Sequence, residues 1–198
     1  MVTQTQQILN IAREKTLISG NDLKPYRIPA SLLNRLDAAG KLVKVARGIY
    51  MLPDTDFGNY LDFAIIGKRY RHGVIALLSA LDFHGLTTEV PNQVWVAMPS
   101  GNMPQKRTEK IRFITFAERA YQAGIETHLI EGVPVKIYGV AKTVADCFKF
   151  RNKIGLDVAL AAVQDFKRQK YNMDELWHFA KIDRVDKVML PYLVGLGA

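Results

Sequence analysis

The chain has 198 residues, 48% hydrophobic and 23% charged, a composition of soluble globular proteins and long enough for one large domain or two small ones. Lys and Arg outnumber Asp and Glu by 27 to 19, and the sequence pI is about 9.6. Residues 1–55 hold eight basic against four acidic side chains, so positive charge is densest at the front, where it suits a phosphate-bearing partner. A single cysteine, Cys147, excludes an intrachain disulfide and a thiolate metal cluster.

Thr3 can cap a first helix running to about Lys15, with Ile8, Leu9, Ile11 and Ala12 at helical spacing. This stretch lacks the apolar centre of a signal peptide, and the longest mainly apolar run, residues 74–81, is too short to span a bilayer. A cytoplasmic protein with no membrane partner is expected. Leu17-Ile18-Ser19 reads as a short buried strand or extended link, and Gly20-Asn21-Asp22 as a turn capping a brief second helix around Leu23-Lys24.

Pro29 suits the first turn of a third helix, where its missing N–H costs nothing. Ile28, Leu32, Leu33 and Leu36 gather on one side of that helix, and Ser31, Asn34, Arg35 and Ala38 on the other. After Gly40, Leu42, Val43, Val45, Ile49, Tyr50 and Leu52 build two strands around Ala46-Arg47-Gly48, where Gly48 permits a positive φ. A recognition helix feeding a two-stranded wing predicts a winged helix-turn-helix DNA-binding domain over residues 1–55. Ser31, Asn34 and Arg35 would meet base edges; amide and guanidinium groups make bidentate contacts to adenine and guanine. Arg27, Lys41, Lys44, Arg47 and Gly48 would hold the DNA backbone, which positions the module without selecting sequence.

Residues 53–60, rich in Pro, Asp and Gly, read as a linker. A helix over 61–69 ends in the cluster Lys68-Arg69-Tyr70-Arg71, where Lys68, Arg69 and Arg71 would extend the DNA footprint as a second tier. Residues 74–83 read as a nearly all-apolar helix closed by His84-Gly85. Strands follow at 93–97, 111–116, 126–130 and 133–138, the last two joined by Glu131-Gly132, a hairpin signal. Helices over 143–151, 155–169 and 173–179 precede a loose apolar tail. The fold class expected is α+β: the winged helix, then a mixed α/β C-terminal domain over 61–198 with a small, mostly antiparallel sheet flanked by helices. Lys106, Arg107, Lys110 and Arg112 form a second basic run that reads as solvated surface.

The sequence offers little to catalysis. His72, His84, His128 and His178 have no metal-ligand spacing, and phosphate-loop and nucleophile-elbow motifs are missing, so no metal, no cofactor and no enzymatic role are expected. Asp82 and His84 lie two apart on a helix and face different ways, while Asp146 pairs with Lys142 and Lys149 at helical spacing. Glu109, Glu126 and Asp146 are the carboxylates a DNA-tethered nuclease would bring together. Cys147 reads as a buried structural thiol.

After an N-terminal segment ending ARGIYMLP come Gly73-Val74-Ile75-Ala76-Leu77-Leu78-Ser79-Ala80-Leu81, Phe83-His84-Gly85-Leu86-Thr87, Pro91-Asn92-Gln93-Val94-Trp95-Val96 and the helix start Ala141-Lys142-Thr143-Val144-Ala145-Asp146. In that order and spacing, over nearly the whole chain, they resemble the AbiEi family of antitoxins. The resemblance implies a transcriptional repressor that binds inverted repeats in its own promoter, two copies on the duplex, and represses a bicistronic abortive-infection operon. It also implies a C-terminal domain that counteracts a nucleotidyltransferase toxin, in many members without a stable complex. Two other readings stand beside it: a winged-helix regulator whose C-terminal domain senses a small molecule, and the tethered nuclease.

Overall fold

In the computed structural model, which describes residues 3–105 and 109–195, the chain divides into two compact units. The first runs to Arg71 and takes in His128–Val135; the second comprises His72–Thr127 and Lys136 onwards.

In the first unit, Thr3 Oγ1 accepts the backbone N–H of Gln6 at 3.2 Å and starts α1 (Gln4–Lys15). The chain then extends through β1 (Ile18–Ser19) into α2 (Gly20–Leu23) and a 3₁₀ turn at Lys24–Tyr26. Helix α3 (Ser31–Ala38) leads into the hairpin of β2 (Val43–Ala46) and β3 (Ile49–Met51), with Gly48 at φ +74° in the turn. These strands form an antiparallel sheet in the order β1-β3-β2, in which Tyr50 stands opposite Ile18 on one side and Lys44 on the other. An irregularity between Lys44 and Ala46 shifts the hairpin register by one residue. Ile8, Ile11, Leu23, Leu33, Leu36 and Leu42 form the centre of the core between helices and sheet. Each such aliphatic side chain contributes about 1.5–3 kcal/mol on burial.

The expected linker does not separate the units. Phe57 is buried, and the segment leads straight into α4 (Leu61–Arg69), whose Phe63, Ala64, Ile65 and Ile66 are buried too. An apolar run of that density needs a core, so the division falls after Arg71 rather than at 53–60. The His128–Val135 segment closes this unit. Thr16 Oγ1 donates to the Glu131 carbonyl at 2.6 Å, and a Cβ at Gly67 would stand only 2.7 Å from the Pro134 carbonyl oxygen.

The second unit opens with β4 (Val74–Ile75), not with a helix from Val74. Val and Ile are β-branched and prefer extended backbone, and the following α5 (Leu77–Phe83) begins only after Ala76 in β conformation. Strands β5 (Val94–Pro99) and β6 (Ile111–Phe116), a short α6 (Glu118–Gln122), then β7 (Ile125–Ile130) and β8 (Val133–Tyr138) follow, the joined ends of the last two, His128–Val135, being counted in the first unit. Glu131 and Gly132, at φ +46° and +77°, make the tight β7–β8 turn. The sheet order is β6-β5-β4-β8-β7. Strand β4 runs antiparallel to β5 but parallel to β8, and β5 is parallel to β6. The sheet is therefore mixed, not mostly antiparallel. The segment between β5 and β6 is long enough to return the chain to the same end of the sheet, as a parallel pair requires.

Helices α7 (Val140–Lys149), α8 (Arg151–Ile154), α9 (Leu156–Arg168), α10 (Met173–Asp183) and α11 (Asp186–Gly195) complete the fold. Helix α10 runs past the expected 173–179, and α11 turns the rest of the expected loose tail into ordered helix, with Met189 and Leu193 buried. Helix α7 is buried at every position from Ala141 to Phe148, flanked by α5, α9 and α10. No helix among the described residues is long and apolar enough to cross a membrane.

Burial of α7 seals three charged groups. Lys142 Nζ hydrogen-bonds Asp146 Oδ1 and lies 3.2 Å from Asp183 Oδ2, and the ammonium also sits 4.8 Å from the ring centre of Tyr138. One cation facing two carboxylates leaves one negative charge too many for an apolar site. Burial, with Asp183 adding repulsion and Lys142 opposing, pushes the Asp146 carboxyl well above the usual range. The neutral form of Asp146 is thus favoured, which relieves the excess charge of the trio. Lys149, expected beside Asp146, instead donates to the Asp183 backbone carbonyl at 2.7 Å.

Candidate nucleic-acid interface

Helix α3 is built in two faces. Ile28, just before it, and Leu33 and Leu36 are buried, Leu32 half so; Ser31, Asn34, Arg35 and Ala38 are exposed. The apolar stripe at offsets of three and four docks the helix, leaving the polar stripe to solvent.

Asn34 is nevertheless not a loose surface amide. The Tyr50 hydroxyl donates to its Oδ1 at 2.6 Å. Tyr50 is 3% exposed, held in the middle strand of the sheet. Its phenol is raised above the ordinary value, first by burial and then by the nearby negative charge of Asp37, so it stays a proton donor at neutral pH. Asp37 also ties α3 to the hairpin, because its Oδ1 accepts the Lys44 backbone N–H at 3.0 Å. Sequence alone carried no sign of the Tyr50–Asn34 bond, which joins residues 16 apart across two elements.

Arg35 and Lys41 are exposed and line one shallow cleft of about 320 Å³ with Thr3, Gln4, Thr5 and the edge of α3. Lys44, Arg47 and Gly48 are exposed on the hairpin, beside a Val43 that is also exposed. Arg27 is exposed in left-handed conformation, φ +54°, with its N–H on the Lys24 carbonyl. Its neighbour Tyr26, which no sequence pattern singles out, is exposed as well.

The second tier divides. Lys68 Nζ lies 2.8 Å from Asp22 Oδ2, and Lys15 Nζ lies 3.1 Å from Oδ1 of the same carboxylate. The Ser19 N–H and hydroxyl also donate to Asp22, each at 2.8 Å. Burial alone would raise the Asp22 carboxyl; the hydrogen bonds from Lys68, Ser19 and Lys15 outweigh it and hold the pKa at about 2. Lys68 is therefore committed to the first unit's own structure, not offered to a phosphate. Arg69 and Arg71 are exposed, with the Arg69 guanidinium 5.5 Å from the Tyr70 ring centre. In the later basic run Lys106 and Arg107 lie outside the described residues, Lys110 is exposed, and Arg112 stacks on Trp95 at 4.3 Å.

The carboxylates considered for a nuclease are not brought together as a usable site, because Asp146 is sealed against Lys142 without solvent access. Among the described residues no group of three His, Cys, Asp or Glu side chains is placed to hold a metal ion. His84 Nε2 hydrogen-bonds the Tyr138 carbonyl at 2.7 Å, and Cys147 is fully buried.

No family model and no curated protein matches the chain. Among solved structures it is similar to the crystal structure of the RV2827C protein from Mycobacterium tuberculosis, with a TM-score of 0.55 and 12% identity over 96% of this chain and 80% of that one. At that identity the likeness concerns the fold.

Proposed function

We propose that this chain is a transcriptional repressor and antitoxin of the AbiEi type, whose first unit is a winged helix-turn-helix that binds inverted repeats in its own promoter. The observation that carries the reading is the grouping of exposed polar and basic side chains on α3 and the β2–β3 hairpin: Ser31, Asn34 and Arg35 on the helix, Lys41, Lys44 and Arg47 after it. Their apolar counterparts dock the helix onto the core and leave this face to a ligand. Guanidinium and amide groups suit base edges, and lysines suit phosphates. Arg27, Arg69 and Arg71, also exposed, are placed in the backbone-contacting set; Lys68 is withdrawn from it. In this proposal the protein is cytoplasmic, acts without catalysis or cofactor, and pairs on the repeat as two copies. The second unit counteracts a nucleotidyltransferase toxin.

Fluorescence-anisotropy titration of the chain against its promoter duplex tests the DNA half. Saturable binding that weakens steeply with salt supports it, and affinity unchanged by Arg35→Ala removes α3 from the interface. The other half requires a nucleotidyltransferase gene beside this one; on co-expression with its product, growth must be rescued by the full chain.

A further inference from the structure

On the reading of α3 as the helix that meets base edges, we infer that Tyr50 sets what Asn34 reads: with its amide oxygen held by the phenol, Asn34 presents its NH₂ donors outward and selects guanine rather than adenine.

The amide of Asn carries an acceptor oxygen and a two-donor nitrogen at opposite corners of one plane. Adenine recognition uses both, because the oxygen must take the N6 proton while the nitrogen gives to N7. Guanine shows two acceptors, O6 and N7, to the same groove and needs only donors. In this chain the oxygen is engaged at 2.6 Å by a hydroxyl whose ring is fixed in β3 between Ile18 and Lys44. Hydroxyl and amide come from different elements, so a rotation of Asn34 that released its oxygen would leave an almost fully buried phenol without that acceptor. The cheapest arrangement keeps the oxygen inward and turns Nδ2 away from Tyr50. Asn34 is exposed, so those donors face whatever approaches α3. Arg35, adjacent and exposed, is likewise a donor-only group suited to guanine.

In vitro selection from a randomised duplex library tests this with four full-length proteins: wild type, Asn34→Ala, Asn34→Asp and Tyr50→Phe. The position read by Asn34 is the one whose preference flattens in Asn34→Ala. The wild type is expected to favour guanine over adenine there by about tenfold, the scale of one good side-chain–base pair. Tyr50→Phe frees the amide and should bring guanine and adenine within about threefold of each other, whereas an effect on stability alone would weaken all sequences alike. Asn34→Asp, an exposed substitution that leaves the fold intact, keeps the phenol's acceptor but loses the outward donors, moving the preference to cytosine. Adenine chosen by the wild type at this position, or the wild-type preference retained in both Tyr50→Phe and Asn34→Asp, overturns the inference while leaving DNA binding in place. A library that no protein enriches overturns the DNA reading and this inference together. Should Tyr50→Phe fail to give the wild-type circular dichroism spectrum, Asn34→Asp decides alone.

Discussion

Lys142 reaches across 41 residues of sequence to Asp183, Nζ to Oδ2 3.2 Å, with neither side chain touching solvent. The contact bolts α7 to α10 at the centre of the second unit. Burial pushes the Asp146 carboxyl toward its neutral form, against the pull of Lys142, which relieves the excess negative charge of the trio. Replacing Lys142 by Met leaves an uncompensated carboxylate in an apolar site, at a cost of about 3–5 kcal/mol. Asp146→Asn keeps the shape and the neutral state, so its cost should stay below about 2 kcal/mol. Urea denaturation of the two variants measures the contrast; equal losses would mean that Asp146 is needed as a carboxylate rather than in its neutral form.

Gly124 supplies the room this lysine needs. Its φ is +71°, and a Cβ there would stand 2.7 Å from the Lys142 Cβ. Gly124→Ala combines a strained backbone with a clash against a fully buried side chain, so a loss of about 2–4 kcal/mol is expected. A lower urea midpoint at unchanged slope is the signature.

Asp22 makes the first unit sensitive to acid. Its folded pKa is about 2, below the ordinary 3.8, so the ionised form is favoured by folding. The stabilisation is present above about pH 4 and is lost as pH falls through about 2. Allowing for solvent around Lys15, Asp22→Asn should cost about 1–2 kcal/mol at pH 7. Thermal unfolding as a function of pH checks this, since wild type and variant should converge toward pH 2.

On the proposed DNA-binding role, three basic side chains should behave differently. Lys44→Ala should weaken all duplexes alike and reduce the salt slope by about 1, as loss of one phosphate contact does. Arg35→Ala should cost about 1–3 kcal/mol at one base position. Lys68→Ala should leave DNA affinity unchanged but lower the melting temperature, because its partner is Asp22. Anisotropy titrations at several salt concentrations separate the three.

Where local rules dominate, the elements could be read directly. The Thr3 cap, the helix at Leu61–Arg69 and the strand at Ile111–Phe116 all fall where period and capping chemistry place them. The two faces of α3 were legible for the same reason. Reading failed where an apolar run serves two elements, as at Val74–Phe83, since hydrophobicity does not tell a buried strand from a buried helix. It also failed where meaning lies between distant residues. Lys142 and Asp146 read as a stabilising pair at helical spacing, and only Asp183 and the surrounding rings make them a buried trio. The same holds for Lys68, whose partner lies 46 positions upstream, and for Asn34 with Tyr50.

The His128–Val135 segment gives the first unit a consequence in time. Its leading 71 residues leave the ribosome well before the tip that carries Glu131 and Pro134. At about 5–20 residues per second, the nascent N-terminal unit waits roughly 3–13 s for its last piece. During that interval the surface around Thr16 and Gly67 stands uncovered. The first unit therefore cannot finish folding until residues 72–127 of the second have been made, and a fragment ending at Arg71 stays in that unfinished state.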